Sequence, residues 1–225
     1  MSTRFDRTAA LIGDDGISKL KSAHIIVVGL GGVGGAAAEC LARSGVGSLT
    51  LVDGDVFEPT NLNRQLLCTA RSLGMSKASV AAERMREVAP DIEARAVSEF
   101  LTADNVNALL DGVGYCVDAI DDIANKVELI KACKARGIPV ISAMGAGNRL
   151  DCDFRVCDIY ATQCDPFARV MRKRLKAEGV AELETVCAIT PPVTARSGAP
   201  ASIASPPLVM GAMLAARVVQ RIVGV

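Results

Sequence analysis

An α/β fold is predicted for this chain: a Rossmann-like, doubly wound, mainly parallel sheet with helices on both faces. Three observations carry that expectation. Between residues 24 and 143, five aliphatic runs alternate with helix-length segments, as right-handed βαβ units require. The first run, Ile25–Val28, turns on glycines straight into an alanine-rich stretch, Gly29-Leu30-Gly31-Gly32-Val33-Gly34-Gly35-Ala36. Half of the 225 residues are hydrophobic but only 3% are aromatic. Small aliphatic side chains must therefore fill the core, which suits a sheet buried on both faces.

The elements follow in order. Residues 1–22 read as a helical lead-in, with Arg4 and Arg7 at its front. Strands are predicted at 24–29, 48–53, 92–98, 114–120 and 138–143. Helices are predicted between them at 33–44, 75–88, 103–110 and 123–136. Gly45, Gly47, Pro90, Gly112 and Gly137-Ile138-Pro139 supply the breaks. After Gly147 the pattern changes, and mixed strands are expected. A strand is predicted at 154–160. Asp165-Pro166 then opens a helix to about Glu178, with Asp as N-cap and Pro at the first helical position. A strand near 184–189 precedes a Pro/Ser/Ala/Gly-rich segment, Thr190–Pro207, in which Ser202-Ile203-Ala204 is a candidate strand. A last helix is predicted from about Leu208 to Val223. The chain reads as one domain over 1–225, with a nucleotide-binding core at about 23–150. A substrate or dimer region is expected at about 151–225.

Composition narrows the function. Lys+Arg and Asp+Glu balance at 25 each, so global charge gives no reason to expect nucleic acid, though a local basic patch remains open. Eight cysteines contain no C-x-x-C pair, which suits a reducing, cytoplasmic setting rather than a disulfide framework. MSTRFDRTAA lacks an apolar signal core. The longest apolar run, near Leu208–Ala216, is too short to span a bilayer and reads as a helix buried in the domain or at a subunit interface.

Four patches carry the chemistry. Gly29, Gly31 and Gly34 fit G-x-G-x-x-G, and Asp53 ends the next strand about 20 residues on, where a ribose hydroxyl is bound. Free N–H groups at the helix start cradle phosphate there. The second patch, Asn61-Leu62-Asn63-Arg64-Gln65, is followed by the third, Gly74-Met75-Ser76-Lys77. An arginine and a lysine can hold β- and γ-phosphates and neutralise charge on a leaving pyrophosphate. Asn and Gln side chains can orient the same oxygens. Lys77 sits near a helix start, where it opposes the dipole, and this placement points to a ligand partner. The fourth patch, Val117-Asp118-Ala119-Ile120-Asp121-Asp122, lies at the ligand-binding edge of such a sheet. Asp121 is the candidate magnesium ligand, and Asp122 the cap of the next helix. An NAD-dependent oxidoreductase or a non-catalytic nucleotide-binding module stays open as an alternative, but neither needs Arg64, Lys77 and Asp121 together.

In this order and spacing the patches resemble the ThiF/MoeB/HesA family of adenylyltransferases, relatives of ubiquitin-activating enzymes. The matching residues are Gly29/Gly31/Gly32/Gly34, Asp53/Asp55, Asn61-Leu62-Asn63-Arg64-Gln65, Gly74/Lys77 and Asp121, across roughly residues 4–150. The resemblance implies ATP with magnesium, and attack by a substrate carboxylate on the α-phosphorus. It places Asp53 on the ribose, Arg64 and Lys77 on the phosphates and Asp121 on magnesium. Arg4-Phe5-Asp6-Arg7 matches the family's R-[FY]-x-R, which implies that Arg7 reaches a neighbouring subunit's site in a homodimer.

Members that activate the C-terminal glycine of a ubiquitin-like sulfur carrier carry two C-x-x-C zinc pairs. Here Cys152, Cys157, Cys164 and Cys187 do not match zinc spacings, and no zinc is expected. The chain is similar to a branch without zinc, the tRNA threonylcarbamoyladenosine dehydratases. Its carriers are Arg4-Phe5 to Leu11-Ile12-Gly13, Asp118-Ala119-Ile120-Asp121, Gly145-Ala146-Gly147, Asp165-Pro166 and the tail Ala201–Pro207 leading to Gly211. That branch implies tRNA as substrate. Activation of a sulfur carrier is the alternative, and a cysteine desulfurase or sulfur-acceptor protein is a further candidate partner. Arg169, Arg172, Lys173 and Lys176 recur on one helix face and are the candidate tRNA contacts. Phe167, Val170, Met171 and Leu175 are expected to face inward. Cys187 reads as a buried structural thiol, and His24 as a strand-edge side chain.

Overall fold

The computed structural model describes residues 3–195 and 201–224. Its elements are α1 (Asp6–Ser22), β1 (His24–Val28), α2 (Gly32–Ser44), β2 (Ser48–Val52), α3 (Lys77–Val88) and β3 (Glu93–Val97). Then come α4 (Val106–Leu109), β4 (Tyr115–Asp118), α5 (Ile123–Ala135), β5 (Val140–Ala143), β6 (Phe154–Asp158), α6 (Pro166–Ala177), β7 (Glu184–Ala188) and α7 (Ser205–Val223). The strands form one sheet in the order β3-β2-β1-β4-β5-β7-β6. All pairings are parallel except β6 against β7. The order steps outward from β1 in both directions, which is the doubly wound arrangement predicted, with the expected mixed pair at one edge.

Alternation along β1 sorts the two cores. Ile25 and Val27 join α1, α2, α3 and α7 on one face, and Ile26 and Val28 join α4, α5 and α6 on the other. All four side chains are buried. Burying a side chain of this size is worth about 1.5–3 kcal/mol, so the register His24↔Ser48 through Val28↔Val52 is strongly specified. This register brings the C-terminal ends of β1, β2 and β4 to a common edge.

Capping chemistry sets several helix starts. Ser76 caps α3 by accepting from the Ser79 N–H, so the helix starts two residues later than residue 75. Asp122 caps α5 through the Asn125 N–H, 2.9 Å away. Asp165 caps α6 by accepting from Phe167 and Ala168, with Pro166 at the first position. The predicted helix at 103–110 shrinks to Val106–Leu109. α7 is long and apolar enough to cross a membrane by length and composition. It is instead a core helix: Met210, Leu214, Ala215 and Val218 are buried, and a Cβ at Gly211 would lie 2.3 Å from the Val33 carbonyl oxygen of α2.

Two expectations need correction. Ser202-Ile203-Ala204 is not a strand. Asn148 fastens Ala201 through its N–H and Oδ1, at 2.6 and 2.7 Å, and the Asn63 Nδ2 donates to the Ser202 carbonyl at 2.9 Å. Side chains thus replace a ladder partner. Residues 196–200 of the Thr190–Pro207 segment lie outside the described residues. Val170 points outward, 42% exposed, because the start at Pro166 phases α6 so that Ala168, Met171 and Leu175 form the buried stripe.

Candidate active site

A cavity of about 870 Å³ opens at the C-terminal edge of the sheet, where the order reverses between β1 and β4. Its lining includes Gly29, Gly31, Asp53, Lys77 and Phe100, together with Gly145, Asn148, Phe167 and Ser202. Arg64, Gln65 and Asp121 also line it.

The glycine turn is shaped by close approach. A Cβ at Gly34 would lie 1.7 Å from the Gly29 carbonyl oxygen. Gly29 has φ +86°, and a Cβ there would meet the Ala119 carbonyl oxygen at 2.6 Å. Both positions therefore exclude any side chain, by space at Gly34 and by both space and φ at Gly29. Gly31 is the N-cap of α2, and the Arg64 carbonyl and Pro207 pack on Gly32. Asp53 braces this turn. Its Oδ2 accepts from the Leu30 N–H at 2.7 Å and its Oδ1 from the Asp55 N–H at 2.8 Å. The ribose candidate thus already orders the phosphate cradle, and each oxygen keeps lone-pair capacity for a hydroxyl.

The two cations differ in setting. Lys77 is buried, and its Nζ lies 2.8 Å from Asp55 Oδ2. The helix-start position pointed to a ligand, but the chain's own Asp55 supplies an anionic partner here. Arg64 is half-buried, and its Nη1 donates to the Thr60 carbonyl at 2.9 Å and to Asn63 Oδ1 at 3.0 Å. Gln65 is buried beside the glycine turn, and its Oε1 has no hydrogen-bond partner among the described residues. A buried acceptor left unpaired is costly, and Gln65 itself lines the cavity. Asn61 and Asn63 fall outside the cavity lining. Asn61 accepts from the Glu58 N–H in a reciprocal cap of the 3-10 turn Pro59–Asn61, while Asn63 holds Arg64 and Ser202.

The fourth patch divides its carboxylates. Asp118 is fully buried, Asp121 stands exposed on the cavity wall, and Asp122 caps α5. Asp118 pairs with Lys126, also fully buried, a contact that the local sequence pattern did not signal. Phe100, Asn148 and Phe167 on the cavity wall were likewise missed. Phe100 and Asn148 signal only as an aromatic and an amide following the ends of β3 and β5, and Phe167 as an aromatic in the first turn of α6.

Outside the cavity, Arg7 is exposed on α1, and Arg4 pairs with Asp91. On α6, Arg169, Lys173 and Lys176 are exposed. Arg172 departs from the expected stripe, because its guanidinium bonds the Thr162 carbonyl and hydroxyl and ties α6 to the preceding turn. His24 bonds the Gly112 carbonyl and Thr50 Oγ1, both at 2.9 Å.

Cys187 is fully buried, 3.3 Å from the Cys157 sulfur. Burial, then the neighbouring Cys157, push its thiol up to about 12. A thiol raised in this way stays neutral at pH 8. Iodoacetamide at pH 8 is expected to leave Cys187 unmodified in the native protein and to label it after unfolding, read by peptide mass spectrometry. Rapid native labelling would instead make it an available nucleophile.

A model described as the ThiF family matches residues 5–225. The tRNA threonylcarbamoyladenosine dehydratase of Bacillus subtilis is 41% identical over 182 residues, 80% of this chain and 72% of that protein. The sulfur carrier protein ThiS adenylyltransferase of Escherichia coli is 35% identical over 151 residues, 65% of this chain and 60% of that protein. The crystal structure of E. coli tRNA N6-threonylcarbamoyladenosine dehydratase in complex with AMP superposes with a TM-score of 0.94 at 34% identity. It covers 98% of this chain and 94% of that one. The same E. coli enzyme in complex with ATP gives a TM-score of 0.93.

Proposed function

The chain belongs to the ThiF family, and from that premise we propose that it is an ATP-dependent enzyme that adenylates the threonyl carboxylate of threonylcarbamoyladenosine in tRNA. The carboxylate oxygen attacks the α-phosphorus and pyrophosphate leaves. The neighbouring carbamoyl nitrogen then attacks the activated carbonyl, closing a ring and expelling AMP, so the net change in the nucleoside is loss of water. The supporting observation is the convergence of the glycine turn, Arg64, Gln65, Lys77 and Asp121 on one cavity. A nicotinamide dinucleotide would leave the two cations without a task.

The residues fit the nucleotide. The backbone cradle at Gly31 and Gly32 and the cations Arg64 and Lys77 suit its phosphates, and Asp53 its ribose. Asp121 suits magnesium, which takes one or two carboxylates with phosphate oxygens and water. When bound, that ion would neutralise charge building on the departing pyrophosphate. The wall formed by Gly145, Asn148, Phe167 and Ser202 would receive the modified nucleoside, with Arg169, Lys173 and Lys176 tracking the tRNA backbone. The working unit in this reading is a homodimer in which Arg7 serves the neighbouring subunit. The whole chain acts as one domain around the core at about 23–150. Eight free cysteines and a tRNA substrate support a cytoplasmic setting.

The test is mass spectrometry of nucleosides after tRNA carrying threonylcarbamoyladenosine is incubated with the protein and magnesium ATP. A nucleoside lighter by one water is expected with wild type and not with Asp121→Ala. If no mass change occurs, and pyrophosphate exchange appears on adding a small protein ending in Gly-Gly, the activated carboxylate is that of a sulfur carrier.

A further inference from the structure

Behind the cavity wall lies a charged network that the nucleotide reading leaves without a task. Asp118, at the end of β4, and Lys126, on the second turn of α5, are both fully buried, with Lys126 Nζ 2.9 Å from Asp118 Oδ2. Ser142, on β5 and also fully buried, donates to the same oxygen at 2.5 Å. The other ends of both charged groups hold one residue. Asp118 Oδ1 accepts from the Ile120 N–H at 3.1 Å, and Lys126 Nζ donates to the Ile120 carbonyl at 3.0 Å. The ammonium also lies 5.7 Å from the centre of the Phe167 ring, which lines the cavity. Ile120 is thus clamped at both backbone polar groups, and the next residue is Asp121.

A buried ion pair is a poor way to gain stability, because desolvating two charges offsets their attraction. Apolar residues of similar volume would hold β4 to α5 as well. What they would not do is fix both the N–H and the carbonyl of Ile120, and with them the direction in which the chain leaves toward Asp121. We propose that Lys126, with Asp118 and Ser142, is a positioning residue. It sets the place of the Asp121 carboxylate on the cavity wall, and so the strength with which the site takes up magnesium with ATP. This inference rests on the reading of Asp121 as the magnesium-side carboxylate.

The test is a double-mutant cycle read by calorimetric titration of ATP with and without magnesium. Lys126→Met alone would strand the Asp118 charge in the core, so the charge-neutral pair Asp118→Asn/Lys126→Met is the principal variant. Its asparagine can still accept from the Ile120 N–H and donate to Ser142, while the Ile120 carbonyl loses its donor. The neutral pair is expected to keep a cooperative melt and ATP binding without magnesium. The gain in ATP affinity that magnesium confers should fall by about tenfold or more. Introduced into an Asp121→Ala background, the same pair should change that gain by less than about twofold.

An equal loss in both backgrounds, or an equal loss with and without magnesium, would make the network merely structural and overturn the proposal. So would an unaltered magnesium gain in the folded neutral pair. If Asp121→Ala by itself leaves the magnesium gain intact, the assignment of Asp121 fails, and the positioning role falls with it. That failure is recognised from the single variant alone.

Discussion

Lys77→Ala is expected to lower kcat/KM for ATP-dependent turnover by roughly 30- to 1,000-fold, about 2–4 kcal/mol of transition-state stabilisation. The side chain is buried at the cavity, and its ion-pair partner among the described residues, Asp55, is largely in water, with a side chain 54% exposed. A partner so exposed holds the ammonium weakly. Polyphosphate oxygens entering a drier site can take it over, and their charge rises as the pyrophosphate departs. The same exposure keeps the fold out of the measurement. Removing Lys77 leaves Asp55 hydrated, so the melting temperature should move little while turnover collapses.

Arg64→Ala should give a loss in the same range. Among the described residues, both side-chain bonds that Arg64 makes leave from Nη1, so Nε and Nη2 can turn to phosphate. Steady-state kinetics on both variants, alongside thermal melts, decide the matter. Unchanged nucleotide affinity and turnover in either would remove that cation from the site.

Much of this was legible because the chemistry is local. The Ile25–Val28 run and the glycine spacing pointed to β1, the turn and α2, since a Cβ at Gly34 or Gly29 has nowhere to go. Asp122 and Asp165 were readable as caps for the same reason: their partners lie two or three residues away. What could not be read depends on distant partners. Ser202-Ile203-Ala204 has strand-like composition, but the Asn63 side chain holds the Ser202 carbonyl and the Asn148 side chain holds the preceding Ala201, both arriving from elsewhere in the chain. Arg172 looks like a member of a basic stripe until the Thr162 carbonyl appears beside it. Lys126 stands in a mixed run, Ala124-Asn125-Lys126-Val127, and reads as an ordinary surface lysine. Only the parallel pairing of β4 with β5, which brings Asp118 and Ser142 together, makes it a core residue. Asp118 was the available hint, since a carboxylate ending a central strand needs a buried donor.

Mixing two inactive variants, Arg7→Ala and Asp121→Ala, is expected to restore activity. Arg7 is exposed on α1 and is absent from the cavity lining of its own chain. The helix is anchored just before it, where Arg4 pairs with Asp91 and the buried Phe5 packs on Gly45. It is broken just after it, at Gly13, with φ +71°. Between these points Leu11 lies 84% exposed, an apolar side chain that a subunit interface would cover. If Arg7 works across a homodimer, each homodimer of the two variants lacks one needed group at both sites. A mixed dimer has one site with both, because the Arg7→Ala subunit keeps Asp121 and receives Arg7 from its partner. Random exchange makes half of the dimers mixed, so about a quarter of the wild-type site activity should return. If Arg7 acted within its own chain, no site in any dimer would be complete and mixing would return nothing. An Arg7→Ala protein that is fully active alone would show that the arginine serves neither site.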